Sequence, residues 1–493
     1  MVVFLFFSLQ HIHIVYTNDI HGHLEKQEAV WIDKYFPPGV GNGYIAPYVI
    51  NHFRKAAEEK DYIFLLLDAG DIFQGTPIGD FSDGRVVVDY FNYMGYDYIA
   101  IGNHDFDRGY WIIDTLRRRT DIPFLSANLY MKKKDSIIPF AIPYLIFEKK
   151  GIKIGIFSVI TQYLTGQVPP KFLDSIIVEK EIPEVRKIVS RIRDSVDILI
   201  GLTHVGLRHD RRIADSVPGI DIIVGGHSHT GIREPEERGS WNTIIVQTYG
   251  HLTTVGFLDV VYDIDAKIIT GYRGYLIDLL EEKYPSDTVM QNIINSYKEK
   301  VEKGFNEIIG KVENDLTRAG FAECTSGNLI TDAMRKRFNA DVGIHNSGGT
   351  RRNIKAGDVT YRDVYNMIPF ENYCVIFKVK GEVLKEIFEV GVNGHHAIFQ
   401  ISGAKIVYDP NKQIGNRIVE CYIGNKPLDS DSIYTIVTNS FLAGGGGEYS
   451  VFLKNIFRED VYYLLRDVVA DYIRENSPVS INIENRIIKL KSN

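Results

Sequence analysis

The sequence predicts an α/β protein in two large domains. Short apolar runs alternate with helix-patterned segments from residue 11 to about 285. A long charged helical stretch then breaks the pattern, and a second segment with its own turns and apolar runs comes after it. The length of 493 residues is too great for one ordinary core and by itself suits two large domains or three. With 45% of residues hydrophobic and 24% charged, the chain can bury sizeable cores, so disorder is not the default.

Taken in order, the apolar runs of the first part are "HIHIVYT" (11–17), "YIFLLLD" (62–68), "DYIAIG" (97–102), "KIGIFSV" (153–159), "DILIGLT" (197–203) and "IDIIVGG" (220–226). "TIIVQTY" (243–249) and "VGFLDVVYD" (255–263) lie close together and are expected to be antiparallel strands. Between the runs, "YVINHFRKAAEEK" and "VRKIVSRIRDSV" space their apolar residues as helices do. Residues 286–311 are expected to form a linking helix, and 312–493 a second domain. That second domain contains "HNSGGTRRN", "NMIPFENY" and the glycine-rich loop "AGGGGEYS".

A net charge of −7 and the lack of a basic stripe argue against binding nucleic-acid polymers or anionic membranes through bulk charge. An anionic substrate would need local attraction. Cys324, Cys374 and Cys421 are far apart and form no CxxC pair, so they are expected to be buried free thiols. The apolar start "MVVFLFFSL" is too short to span a bilayer. It leaves three readings: an atypical or truncated signal, an edge strand, or a mis-set start. No other stretch is long and apolar enough to cross a membrane.

The chemistry lies in the polar residues just beyond the apolar runs. Asp19 and His21 come after the first, Asp71 after the second, and Asn103 and His104 after the third. His204 comes after "DILIGLT", and His227 and His229 after "IDIIVGG". Loops at the carboxyl ends of strands in open α/β sheets converge on one crevice. Five loops would therefore deliver Asp19, His21, Asp71, Asn103, His204, His227 and His229 to one place. Carboxylates, imidazoles and an amide without thiols suit Zn²⁺, Mn²⁺ or related divalent ions. Seven ligands are too many for one tetrahedral ion, but suit two ions about 3.5–4 Å apart that share a carboxylate, for which Asp71 is the natural choice. His11 and His13 alternate along a strand and are expected to be packed or edge residues. His52, His209, His251, His345, His395 and His396 lack ligand-like neighbours in sequence and are expected to be structural or exposed.

"TNDIHGH", "GDIFQGTP", "GNHDFD", "THVG" and "GGHSH" resemble the signature of calcineurin-like metallophosphoesterases. "TNDIHGH" with "GNHDFD" resembles the 5′-nucleotidase family in particular. "ECTSGNLITDAMR", "NSGGTR", "IPFEN" and "NSFLAGGGGEY" resemble that family's C-terminal substrate domain. The resemblance implies an N-terminal four-layer domain of two mixed sheets flanked by helices, and a smaller α+β C-terminal domain. It implies that Asp19, His21, Asp71 and His229 hold one ion, and Asp71, Asn103, His204 and His227 the other. It also implies that a metal-bound hydroxide attacks phosphorus, with His104, paired to Asp107, stabilising the transition state or protonating the leaving oxygen. Arg351 would meet the substrate phosphate, Asn346 the base, and Phe370 and Phe441 would sandwich a nucleobase. The linking helix would let the C-terminal domain swing substrate onto the metals.

Two departures stand out. Nucleoside-binding members of the family it resembles usually carry an aspartate for the ribose where this chain has Gly447, with Glu448 beside it, and often an arginine where it has Gly320, with Arg318 nearby. Either Glu448 takes over the ribose contact, or the substrate is not a nucleotide. The expected activity is release of phosphate from nucleoside 5′-monophosphates. The alternatives are a nucleotide-sugar hydrolase, a 2′,3′-cyclic-nucleotide phosphodiesterase with 3′-nucleotidase activity, or a thiosulfohydrolase. A non-enzymatic binding or adhesion protein would be expected to have lost part of the ligand set. The family's habit of export implies a periplasmic or secreted protein, with a cytoplasmic one as the alternative.

Overall fold

The computed structural model describes residues 8–490 except 30–31, 33–36, 133–135, 165–167, 169–171, 371, 394–396 and 446–449. The expectations for Gly447, Glu448, His395, His396 and most of the apolar start thus fall outside the described residues. The chain divides into two compact units, Met1–Val301 and Glu302–Asn493.

Two six-stranded mixed sheets form the centre of the first unit. One runs Ile268–Asp278, Thr254–Asp263, Leu9–Thr17, Ile63–Asp68, Tyr98–Ala100 and Phe124–Leu125, and its last four strands are parallel. The other runs Glu236–Arg238, Thr243–Val246, Ile222–Gly225, Ile198–His204, Ile152–Ile160 and Tyr144–Lys149, with its central four parallel.

The apolar runs are buried on both faces, which is why they read as near-continuous hydrophobic sequence. Ile12, Ile14, Leu65 and Val260 of one sheet meet Ile154, Ile200, Leu202 and Val224 of the other. Helices cover the outer faces. Ala46–Glu59, Arg85–Met94 and Tyr110–Arg117 pack on the first sheet, Glu181–Ile192 and Leu207–Ser216 on the second. The result is the four-layer arrangement, helix–sheet–sheet–helix.

Two expectations need correction. Thr243–Val246 and Thr254–Asp263 are not partners. The former lies parallel to Ile222–Gly225, whereas the latter lies antiparallel to Leu9–Thr17 in the other sheet. The chain changes sheets between them, and two short apolar runs carry no mark of that in their periodicity. The linking helix is also shorter than 286–311. It spans Thr288–Phe305, sets Met290 and Ile294 into the core of the first unit, and is followed by the strand Ile308–Val312. Gly304 weakens the last turn, and β-branched Ile308, Ile309 and Val312 favour pairing with Gly357–Thr360.

The second unit is α+β. Its five-stranded sheet runs Phe399–Ser402, Val342–Asn346, Ile433–Asn439, Tyr373–Lys380 and Phe457–Leu464. The helix Gly381–Gly391 closes the core through Leu384, Ile387 and Phe388. The helices Thr325–Arg337 and Leu465–Asn476 belong to the same unit. All three cysteines are free; Cys324 and Cys374 are buried and Cys421 is half-buried. Among the described residues, no helix is long and apolar enough to cross a membrane.

Candidate metal centre and nucleotide-binding residues

All seven expected ligands of the first unit stand at carboxyl ends of parallel strands, three strands from the first sheet and two from the second. Two clusters result: Asp19, His21 and His229, and Asp71, His204 and His227. The clusters adjoin, since His21 Nε2 lies 4.0 Å from Asp19 Oδ1 and 3.7 Å from Asp71 Oδ2. His204 Nε2 lies 3.1 Å from Asp71 Oδ2 and 3.1 Å from Asn103 Oδ1.

The ring nitrogens facing away from the site fix the tautomers. His21 Nδ1 donates to the carbonyl of Gln74 at 2.7 Å, and His204 Nδ1 to that of Ala69 at 2.7 Å. A carbonyl can only accept, so in the neutral rings both Nε2 atoms are bare lone pairs. Bare nitrogens thus face carboxylate oxygens and an amide oxygen, and His21 Nε2 faces His229 Nε2 at 3.3 Å. Such a gathering of acceptors needs positive charge at its centre, and its N/O chemistry fits a pair of divalent cations.

Electrostatics point the same way. Burial alone would raise Asp71, yet the charge of His204 and a hydrogen bond from it hold the carboxyl well below its usual range. Burial likewise opposes charge on His204, but Asp71 and Asp19 lift it to about 9. The hydrogen bond to Asp19 raises His229. Burial lowers His21, and lowers His227 to about 4. The positive charge that Asp71 and Asp19 favour at His204 is charge that a cation would supply.

Backbone strain marks the same loops. Asp19, His21, Asp71, His227 and His229 all have positive φ, between 50° and 76°. Each such non-glycine residue costs on the order of 1 kcal/mol or more, and the surrounding fold must impose it. Close approach of the loops adds to this, because a Cβ at Gly102 would overlap Asp71 Oδ1.

His104 stands at the rim, its side chain 40% exposed, and its Nδ1 donates to Asp107 Oδ2 at 2.7 Å. Burial would lower this imidazole, but the bond to Asp107 and the charge of Asp71 raise it to about 10. With Nδ1 committed to Asp107, Nε2 is the nitrogen left to meet a substrate.

Several contributors escape the sequence reading. Asp105 accepts from the amides of Ile72 at 2.9 Å and Gly102 at 2.8 Å, tying two ligand loops together. Asn18 donates to Asp19 Oδ2 at 2.7 Å and accepts from the amide of Thr248 at 2.8 Å. His251, expected to be structural or exposed, packs edge-on against His21 and His229 and stacks on His23 at 4.0 Å. Its backbone amide donates to the carbonyl of Asp19 at 2.6 Å. The "GNHD" motif hinted at Asp105; for Asn18 and His251 the partners lie too far along the chain for local pattern to reveal.

In the second unit, the four expected substrate residues gather at one end of the five-stranded sheet. Asn346 closes Val342–Asn346, which lies parallel to Ile433–Asn439. Asn439 donates to Asn346 Oδ1 at 2.8 Å and caps the short helix that carries Phe441. Phe370 precedes Tyr373–Lys380, whose Cys374 is paired with Asn439. The Arg351 guanidinium lies 5.8 Å over the Phe370 ring. Phe370 and Phe441 are 46% and 47% exposed, unlike core aromatics, so their faces can take a planar ligand.

Comparison with known proteins agrees with this geometry. The calcineurin-like phosphoesterase family matches residues 12–231, and the 5′-nucleotidase C-terminal domain matches 308–454. A snake venom 5′-nucleotidase of Gloydius brevicauda is 30% identical, over 96% of this chain and 88% of its own. The 5′-nucleotidase of Mus musculus is 29% identical, over 96% and 90%. A crystal structure of a 5′-nucleotidase precursor from Thermus thermophilus superposes with a TM-score of 0.65 at 25% identity, covering 98% of this chain and all (100%) of that one. The strand-end ligand set, the four-layer first unit and these similarities have one meaning: the chain belongs to the 5′-nucleotidase family and is a phosphoester hydrolase of the calcineurin-like class.

Proposed function

We propose that the protein is a 5′-nucleotidase that uses two divalent ions to release phosphate from nucleoside 5′-monophosphates. The observation that carries this reading is the convergence of His204 Nε2, Asp71 Oδ2 and Asn103 Oδ1, acceptors 3.1 Å apart around His204 with a second cluster adjoining. Asp19, His21 and His229 would hold one ion, and Asn103, His204 and His227 the other, with Asp71 shared. Bound there, ions such as Zn²⁺ or Mn²⁺ supply an activated water and neutralise charge on the phosphoryl oxygens.

The chain's own groups do the rest. Asp107 orients His104, which presents Nε2 to the phosphoryl group and assists departure of the ribose oxygen. Arg351 offers a planar fork to a phosphate. Phe370 and Phe441 offer ring faces to a base, and Asn346 an amide to its edge. The venom enzyme among the relatives supports a site of action outside the cytoplasm, which fractionation of the native host would check.

The substrate is tested by phosphate release from AMP, UMP, UDP-glucose, 2′,3′-cyclic AMP and p-nitrophenyl phosphate. The expected result is the highest kcat/KM with AMP or UMP. Turnover of the aryl phosphate with none of the nucleotides would remove the nucleotide assignment.

A further inference from the structure

A third cluster of metal-ligating atoms lies away from the catalytic crevice: His11, His13 and Asp259. The strand register builds it. His11 and His13 are two residues apart on Leu9–Thr17 and so share a face, the one turned away from the second sheet. Asp259 lies directly opposite His13 on the antiparallel neighbour. The pair sits in the first half of the strand, whereas the catalytic ligands lie beyond its other end. Asp19 lies six positions beyond His13, about 20 Å of extended chain.

The donor atoms lie within 4.8 Å of one another. His11 Nδ1 donates to Asp259 Oδ1 at 2.8 Å, and His13 Nε2 lies 3.7 Å from that oxygen. Two donors on a tetrahedral zinc ion with bonds of about 2.0 Å stand about 3.3 Å apart, between these two values. His13 is 5% exposed, and its Nδ1 has no hydrogen-bond partner among the described residues. At 3.7 Å its Nε2 is too far to donate to Asp259, and its buried Nδ1 is left unsatisfied. Burial lowers its pKa, which favours the neutral form that ligates.

Aromatic walls hold the ligands in place. Tyr62 stacks on His11 at 4.3 Å and meets His13 edge-on at 5.1 Å, while Phe257 meets His13 edge-on at 4.9 Å. The charged groups facing the cluster are Arg273 and Lys60. Arg273 lies 3.4 Å from the other carboxylate oxygen, Oδ2, and is 72% exposed, so it can turn to solvent. His11, 29% exposed, provides the way in.

We propose that His11, His13 and Asp259 form a further, non-catalytic divalent-metal site that takes Zn²⁺ through two imidazole nitrogens and a carboxylate oxygen. Water fills the fourth position. On binding, the proton of His11 moves from Nδ1 to the other ring nitrogen, which frees Nδ1 to ligate, and the ion clamps the first strand to its antiparallel neighbour.

The test titrates Zn²⁺ into the chelator-stripped full-length protein against a colour-forming competitor. His13→Gln and Asp259→Asn should each bind one equivalent fewer than the wild type, while hydrolysis of AMP by the zinc-loaded protein stays within twofold. Equal stoichiometry in all three proteins overturns the proposal. The difference is read whatever number of ions the crevice takes, so failure of the catalytic assignment does not imitate failure here. If a variant does not fold, wild-type crystals soaked in Zn²⁺ decide. An anomalous peak bounded by the three donor atoms supports the site, and its absence there overturns it.

Discussion

His104 is the residue at which catalysis and metal binding should separate. It touches the crevice through its ring but makes its own bond to Asp107 at 2.7 Å. His104→Ala should lower kcat by about 10²–10⁴-fold, the range of a lost general acid, with the bound-metal content unchanged by elemental analysis. Loss of metal alongside activity would make it a ligand instead. Asp210 offers a different test. It is buried, accepts from Thr203 Oγ1 at 2.5 Å through Oδ1, and its Oδ2 has no partner among the described residues. Burial pushes its pKa from 3.8 up to about 8. The folded protein keeps a proton that the unfolded chain releases, so stability falls as pH rises through that interval. Below the unfolded value both states are protonated and the effect vanishes. Asp210→Asn should therefore unfold at a higher temperature than the wild type at pH 8, with the gap shrinking towards pH 5. A gap independent of pH would show that Asp210 is ionised when folded. At this scale the sequence was legible wherever a polar residue directly follows an apolar run, as for Asp19, Asp71, Asn103 and His204. It did not show how Asn18 and His251 support the site, because their contacts are with Thr248 and with Asp19, far away in the chain.

At the scale of elements, the parallel strands are what bring the ligands together, because each ends on the same side of its sheet. That much can be read from strand–helix alternation. Which sheet a strand joins cannot, and Thr243–Val246 and Thr254–Asp263 part company for reasons that hydrophobic periodicity cannot encode. Loops at one end of the second unit's sheet carry the residues proposed to recognise a base, and their contribution can be measured separately. Phe441→Ala should raise KM for AMP by about 5–100-fold, a stacking loss of roughly 1–3 kcal/mol, and leave KM for p-nitrophenyl phosphate within twofold. Equal effects on the two substrates would mean that Phe441 does not meet a base.

For the molecule as a whole, a net charge of −7 gives no general pull on an anionic substrate. In the proposed reading attraction is local, from Arg351 and from cations at the cluster of Asp19 and Asp71. The two-unit organisation was visible in the change of pattern after residue 285, although the helix Thr288–Phe305 packs on the first unit and ends before a strand of the second. The metal centre is tested most directly by phosphate release from AMP, using protein stripped with a chelator, before and after Zn²⁺ or Mn²⁺ is restored. Activity should fall by about 100-fold or more on stripping and return as two equivalents fill the crevice. Full activity in the stripped protein would contradict the metal centre, and with it the mechanism built on Asp71.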